Sequence, residues 1–184
     1  MKIIGIIGAM PQEVALLKSR LSNLSEEKVA GLDIFKGDMH GKTVILCQCG
    51  MGKVARGAAT QLMITKYGIE AIVFSGIAGN MTDKIGVGDV CLSKEVVYHD
   101  AEITMIDQHY PYLDSYKGDE NLIKAAGRAC EETNTKYIVG KIATGDKFVG
   151  DTRTKNAIKA SCDPDCVEME GAAIAHIACK NDIP

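Results

Sequence analysis

The stretch MKIIGIIGAMPQEV, residues 1–14, decides how the rest of the chain is interpreted. Ile3 to Ile7 form an uninterrupted apolar run that closes on Gly8, which is typical of a strand buried on both faces of a parallel sheet. Pro11 follows at a position that the first turn of a helix accepts, and the residues from Val14 onward give that helix an apolar face. The segment therefore predicts a β-strand that turns directly into an α-helix.

The same alternation of strand and helix continues along the chain. A hairpin is predicted over residues 31–50, a helix over 53–67 that ends at Gly68, and helices capped by Asp119 and by Asp151 or Thr152. Further strands are predicted over 72–74, 90–98, 137–143 and 165–169, and a loop over 107–118. Strands that alternate with helices indicate a single α/β domain with a mostly parallel, mixed central sheet flanked by helices.

The composition excludes several classes of protein. Hydrophobic residues make up 46% of the 184 residues and charged residues 24%, so the chain has enough apolar surface to fold. A net charge of -3 argues against a nucleic-acid binder, and no apolar run is long enough to cross a membrane. The seven cysteines form no pair of C-x-x-C units, which argues against a zinc site and favours free thiols in a reducing cytoplasm.

In α/β proteins ligands bind where parallel strands end, so the residues that follow each strand are the candidate site. Three carboxylates lie there: Glu13, Glu168 and Glu170. Burial in a shared crevice would raise the pKa of at least one of them and suit it to general acid or base chemistry. The alternative for Glu13 is a capping role at a helix N-terminus.

Phe148 and His99 also follow predicted strands, and each could have a structural or a functional role. Phe148 is either a packing residue or a platform for a flat ligand, and His99 is interpreted as structural rather than catalytic. The glycines match neither the dinucleotide-binding signature nor a phosphate-binding Walker loop, so no nicotinamide cofactor is expected.

Seven motifs together point to one family. They are MKIIGIIGAMPQE (1–13), GMGKV (50–54), SGIAG (75–79), GVGDV (86–90), YHDAEIT (98–104), TGDKFV (144–149) and VEMEGAAIAH (167–176). In this order and spacing the chain resembles the 5′-methylthioadenosine/S-adenosylhomocysteine nucleosidases, which share the three-layer phosphorylase/hydrolase-like fold. The resemblance spans the whole chain.

The resemblance implies a cytoplasmic homodimeric hydrolase that cuts the N-glycosidic bond of both thioethers, giving adenine and a thioribose. It implies no metal and no organic cofactor. The segment 107–113 is the candidate for a wall that the partner subunit contributes to the thioalkyl site.

The resemblance also implies roles for individual residues. Glu13 would be the general base that activates water, and Glu170 would bind the ribose hydroxyls beside Met169. A carboxylate near the ribose suits a transition state that resembles an oxocarbenium ion.

For the adenine base the resemblance implies three further residues. Phe148 would stack on the ring, Val149 would offer backbone hydrogen bonds, and Gly79 would line the site.

Two departures from the family pattern matter. Ile77 stands where members often carry a serine that positions the catalytic acid. The general acid of the family is an aspartate after a further strand, and we expect the domain of residues 1–184 to lack that strand and the closing helix. The alternatives are an inactive adenosine-thioether binder, an oligomerising fragment, a nucleoside phosphorylase or a futalosine hydrolase. Glu13 in the first strand-to-helix turn favours water over phosphate, because a carboxylate repels an anion.

Overall fold

The computed structural model describes the backbone of residues 1–8 and 11–184, and the side chains of residues 1–8 and 14–184. Its internal contacts divide the chain into two compact units. The first comprises Met1–Gly76 with His176–Pro184, and the second comprises Ile77–Ala175. The expectation of one domain over residues 1–184 stays a prediction.

The first unit contains a five-stranded mixed sheet. Its elements are β1 (Ile3–Gly8), α1 (Pro11–Ser19), β2 (Ser22–Val29), β3 (Leu32–Met39), β4 (Lys42–Gln48), α2 (Lys53–Tyr67) and β5 (Ala71–Phe74). The strand order is β2-β3-β4-β1-β5. Parallel pairing surrounds β1, whereas β2, β3 and β4 form an antiparallel meander. The predicted hairpin is confirmed, and it turns at His40 and Gly41, which both have positive φ.

The apolar run of the first strand is buried only in part, because Ile3, Ile4 and Ile6 are half-buried whereas Gly5 and Ile7 are buried. Ile7 on β1, Leu46 on β4 and Met63 on α2 have no exposed surface. Gly5 permits this packing, because a Cβ atom there would lie 2.7 Å from Cδ1 of Ile69 and 2.9 Å from Cε of Met63. The glycine in the run therefore allows a close approach of the α2 segment to the sheet.

Strand β2 was not predicted from the sequence. Its residues, SNLSEEKV, are mostly polar, and all but Val29 are exposed. Pairing with β3 defines the strand, and the register shifts between Ser22 and Ser25. Tertiary hydrogen bonding thus overrides a local sequence with little strand character.

The second unit contains a second five-stranded mixed sheet. Its elements are β6 (Gly79–Asn80), β7 (Val90–Tyr98), α3 (Ile103–Ile106), β8 (Tyr116–Lys117), α4 (Glu120–Glu132), β9 (Tyr137–Thr144), α5 (Thr152–Cys162), β10 (Cys166–Glu168) and α6 (Gly171–Lys180), whose last five residues belong to the first unit. The strand order is β6-β10-β9-β7-β8, with parallel pairing on both sides of β9 and antiparallel pairing outside it. The predicted loop over residues 107–118 contains the short strand β8.

Helix starts in the second unit follow the sequence signals. The carboxylate of Asp119 accepts hydrogen bonds from the backbone N–H groups of Asn121 and Leu122, both at 2.9 Å. The carboxylate of Asp151 accepts one from Thr154 N at 2.9 Å. Both residues are therefore N-caps, as predicted.

The α/β class with mixed sheets flanked by helices is confirmed, and hydrogen bonding groups the strands into two sheets. Over the described ranges 1–8 and 11–184, no helix has the length and apolar character that a membrane crossing requires.

Candidate active site

Three parallel strands of the second unit end side by side. Tyr98 on β7 is in register with Thr144 on β9, and Thr144 is in register with Glu168 on β10. The residues that follow these ends therefore emerge at one edge of the sheet, where α/β proteins bind ligands.

The turn after β9 is fastened to the end of β7. The backbone N–H of His99 donates to the carbonyl oxygen of Thr144 at 2.9 Å, and Asp146 N donates to Oδ2 of Asp100 at 2.7 Å. The imidazole ring of His99 lies against Gly145, where a Cβ atom would overlap with it. His99 and Asp100 thus shape this turn, in agreement with the structural interpretation of His99.

The end of β10 is fastened to β9 and to the start of α6. Glu168 is 8% exposed and Thr144 is fully buried. The Thr144 hydroxyl donates to Oε1 of Glu168, while Oε2 accepts from the backbone N–H groups of Glu170 at 2.8 Å and Gly171 at 2.7 Å. Burial raises the pKa of Glu168, and these hydrogen bonds oppose the rise.

Met169 and Glu170 lie between β10 and α6. Glu170 is 7% exposed, and its carbonyl oxygen accepts from Ala173 N at 3.0 Å in the first turn of α6. Met169 is half-buried. The strand therefore ends at Glu168, and Glu170 lies directly before the first residue of α6, with its backbone N–H hydrogen-bonded to the Glu168 carboxylate.

The remaining candidate residues of the second unit differ in exposure. Phe148 is 86% exposed, so it contributes little to the core. Val149 packs against the core cluster that includes Ala143. Gly79 is in register with Val167, and a Cβ atom on Gly79 would lie 3.1 Å from Cγ1 of Val167. Glycine thus lets β6 approach β10 closely, two residues before Met169.

The remaining catalytic candidate, Glu13, belongs to α1 of the first unit. Its side chain lies outside the described residues, so its predicted role stays a prediction. Ile77, the departure from the family pattern, is 78% exposed.

Two aspartates, Asp100 and Asp146, act on Tyr98 at this edge. Burial, with smaller contributions from Asp100 and Asp146, raises the pKa of Tyr98 to about 12. Tyr98 is therefore protonated at neutral pH, and the carboxylates around the strand ends favour a positively charged ligand or transition state. Within the part of the chain that the structure describes, no cluster of three or more His, Cys, Asp or Glu residues could hold a metal ion.

Comparison with known proteins decides the family. The model of the phosphorylase superfamily matches residues 3–184. A 5′-methylthioadenosine/S-adenosylhomocysteine nucleosidase from Psychromonas ingrahamii is 39% identical over 188 aligned positions, which cover 98% of this chain and 81% of the relative. This chain belongs to the 5′-methylthioadenosine/S-adenosylhomocysteine nucleosidase family.

Solved structures agree with membership of the nucleosidase family. The nucleosidase from Neisseria meningitidis in complex with methylthio-immucillin-A superposes with a TM-score of 0.94 at 29% identity, covering 100% of this chain and 82% of that one. The futalosine hydrolase of Helicobacter pylori superposes with a TM-score of 0.91 at 29% identity, covering 100% and 81%. The resemblance in the seven motifs is thereby confirmed.

Sequence reasoning missed two features of the site at the ends of these strands. It assigned no role to the Thr144 side chain, and it counted Glu168 only among three candidate acid–base carboxylates. The signal for both is their position at the last residue of a strand. Only the register of β9 and β10 reveals that the two side chains meet.

Proposed function

We propose that this protein hydrolyses the N-glycosidic bond of 5′-methylthioadenosine and S-adenosylhomocysteine, giving adenine and the corresponding thioribose. The observation that carries the proposal is the buried Glu170 between β10 and α6, in a chain of the nucleosidase family. A carboxylate there is suited to bind ribose hydroxyls and to stabilise positive charge as the glycosidic bond breaks.

The proposed division of labour follows the motifs. Glu13 removes a proton from the attacking water, and Met169 and Glu170 hold the ribose. Phe148 stacks on adenine, its exposed ring being accessible to a ligand. The backbone of Val149 hydrogen-bonds the base, and Gly79 lines its site. The proposed reaction uses no metal and no organic cofactor.

The direct test is adenine release from each thioether in phosphate-free buffer. We expect turnover without phosphate, because water is the nucleophile. Glu13→Gln should lower kcat by about 100- to 10,000-fold, the usual cost of losing a general base, while adenine still binds. Glu170→Gln should lower kcat/KM. The matched control is Glu120→Gln, since the Glu120 side chain is 85% exposed and pairs with Lys124 on the surface.

Three results would contradict the proposal. They are turnover that requires phosphate, base release from futalosine but from neither thioether, and Glu13→Gln turnover equal to that of the control.

We propose in addition that the protein is a cytoplasmic homodimer. The support is a cluster of exposed apolar side chains in the second unit, which we call the 105–113 patch. Its members are Met105, Tyr110, Tyr112 and Leu113, exposed by 59%, 49%, 66% and 40%. Clustered apolar surface of this kind marks interaction sites.

Light scattering with size-exclusion chromatography tests the homodimer. Tyr112→Asp should dissociate it, because a charge in a desolvated interface is costly. Val87→Asp is the control, since Val87 is fully exposed in a turn outside the patch. A monomeric parent protein, or dissociation by both variants, would remove the 105–113 patch from the proposal.

A further inference from the structure

The Thr144–Glu168 pair is a buried polar contact at the strand ends. The Thr144 oxygen accepts from Ala172 N at 2.8 Å, so its O–H donates to Glu168. Both Glu168 oxygens therefore receive hydrogen bonds, and each partner is a donor. The ionised carboxylate satisfies all of them, and bonds of this kind are shorter and stronger than neutral ones.

The backbone around the pair closes the same network. Gly145 N donates to the carbonyl oxygen of Glu168 at 3.1 Å, which links the first residue after β9 to the last residue of β10. A Cβ atom on Gly171 would lie 3.2 Å from Oε1 of Glu168, so glycine at that position leaves room for the carboxylate. The neighbouring Glu170 carboxylate adds a small electrostatic contribution that raises the pKa of Glu168.

Each residue of the pair is the last residue of its strand, and each strand leads into one substrate-binding segment of the proposed function. Thr144 precedes residues 145–149, the adenine segment, and Glu168 precedes residues 169–170, the ribose segment. The hydrogen bonds between them thus join the two segments at their bases. Resting on that proposed function, we infer that Thr144 and Glu168 are positioning residues that fix the adenine segment relative to the ribose segment.

Such a role has a consequence that simple stabilisation lacks. A nucleoside engages both segments at once and gains affinity from their correct spacing, whereas free adenine engages one segment only. Loosening the pair should therefore weaken nucleoside binding and turnover while free adenine binds almost unchanged. Misplacement by about 1 Å is enough to cost about 100-fold in rate.

The experiment compares Thr144→Val with Thr144→Ser, Glu168→Gln and a control. Thr60→Val is the matched control, because Thr60 is also fully buried and its hydroxyl donates to Arg56 O at 2.8 Å on α2. The measurements are the Kd of free adenine, the Kd of methylthio-immucillin-A, kcat for adenine release and the melting temperature. Methylthio-immucillin-A is the nucleoside analogue bound to the Neisseria relative.

We expect Thr144→Val and Glu168→Gln to raise the Kd of methylthio-immucillin-A and to lower kcat, each by about 10- to 100-fold. The adenine Kd should change by less than about 3-fold. Thr144→Ser, which keeps the hydroxyl, should retain most of the turnover. Thr60→Val should lower the melting temperature but leave kcat and both Kd values unchanged.

Two results overturn the inference: Thr144→Val and Glu168→Gln both matching Thr60→Val in kcat and analogue affinity, or adenine and analogue affinities falling in parallel. A failure of the proposed function looks different, because the parent protein itself would then neither bind adenine nor release it. If Thr144→Val does not fold, Glu168→Gln and Thr144→Ser test the inference instead. The quantity compared is then the ratio of the analogue Kd to the adenine Kd.

Discussion

The guanidinium carbon of Arg56 lies 5.1 Å from the centre of the Phe74 ring, and Arg56 has no exposed surface. Among the residues whose side chains are described, none accepts a hydrogen bond from its Nε, Nη1 or Nη2 atoms. Taking a cation out of water costs several kcal/mol, which a cation–π contact of about 2 kcal/mol offsets only in part.

Replacing Arg56 with an apolar residue of similar length should therefore not destabilise the protein. Arg56→Met is expected to leave the free energy of unfolding in urea unchanged or higher, and Arg56→Gln, which keeps buried polar atoms, to lower it. A loss of about 3 kcal/mol or more in Arg56→Met would show instead that an anionic group holds the guanidinium.

Glu95 on β7 should make stability depend on pH. Its side chain is 16% exposed, with Oε1 at 3.0 Å from Lys117 Nζ and Oε2 at 3.3 Å from Lys141 Nζ. The Lys117 hydrogen bond is the main reason that the pKa falls from its ordinary value of 4.5 to about 2. A carboxyl group whose pKa is lowered by folding stabilises the folded protein at pH values above its ordinary pKa. This stabilisation is lost as the pH falls toward 2.

Glu95→Gln should consequently lower the free energy of unfolding at pH 7. The pKa shift sets an upper bound of about 3 kcal/mol, and the loss should be smaller because solvent screens the lysines. The difference from the parent protein should shrink below pH 4.5 and vanish near pH 2. Urea unfolding at several pH values measures it, with the exposed Glu120→Gln as control. A difference that stays constant with pH would mean that packing rather than charge is lost.

Phe148 offers a test that separates binding from folding. Stacking of a base on an aromatic ring is worth about 1–3 kcal/mol, so Phe148→Ala should raise the adenine Kd by roughly 5- to 150-fold. The melting temperature should barely move, because the ring is 86% exposed. Calorimetry and thermal unfolding check the two expectations, and an unchanged Kd would remove Phe148 from the adenine site.

Gly145 should not tolerate a side chain. A Cβ atom there would overlap with the His99 ring and lie 3.0 Å from Cγ of Asp100. Gly145→Ala is expected to destabilise the protein by about 1–3 kcal/mol, the usual cost of overpacking, and to weaken adenine binding. Gly86→Ala is the control, since a Cβ atom on Gly86 has nothing within 4 Å. Equal stability of the two variants would show that the His99 ring moves aside at little cost.

Local signals predicted the elements they control directly. The apolar run before Gly8, the αL glycine at Gly68 and the capping carboxylates of Asp119 and Asp151 all act within a few residues, so the sequence reveals them. Strand β2 escaped prediction because its sequence has little strand character and its pairing with β3 is a tertiary contact.

The candidate site divides in the same way. Position after a strand predicted where Glu170 and Phe148 lie, whereas the function of Glu168 depends on which strand is its neighbour and in what register. Residues two apart on a strand share a face, but β10 ends at Glu168 and α6 begins at Gly171, so that rule does not extend to Glu170.

The polar character of β2 has a consequence for how copies of the protein meet. As the outermost strand of its sheet, β2 has one side not paired with another strand of that sheet, the kind of edge on which β-aggregation begins. Glu26, Glu27 and Lys28 lie along it, and the register shift between Ser22 and Ser25 breaks its regularity. An incoming strand would have to align with a row of charges and an irregular backbone, so this edge is protected against strand addition between molecules.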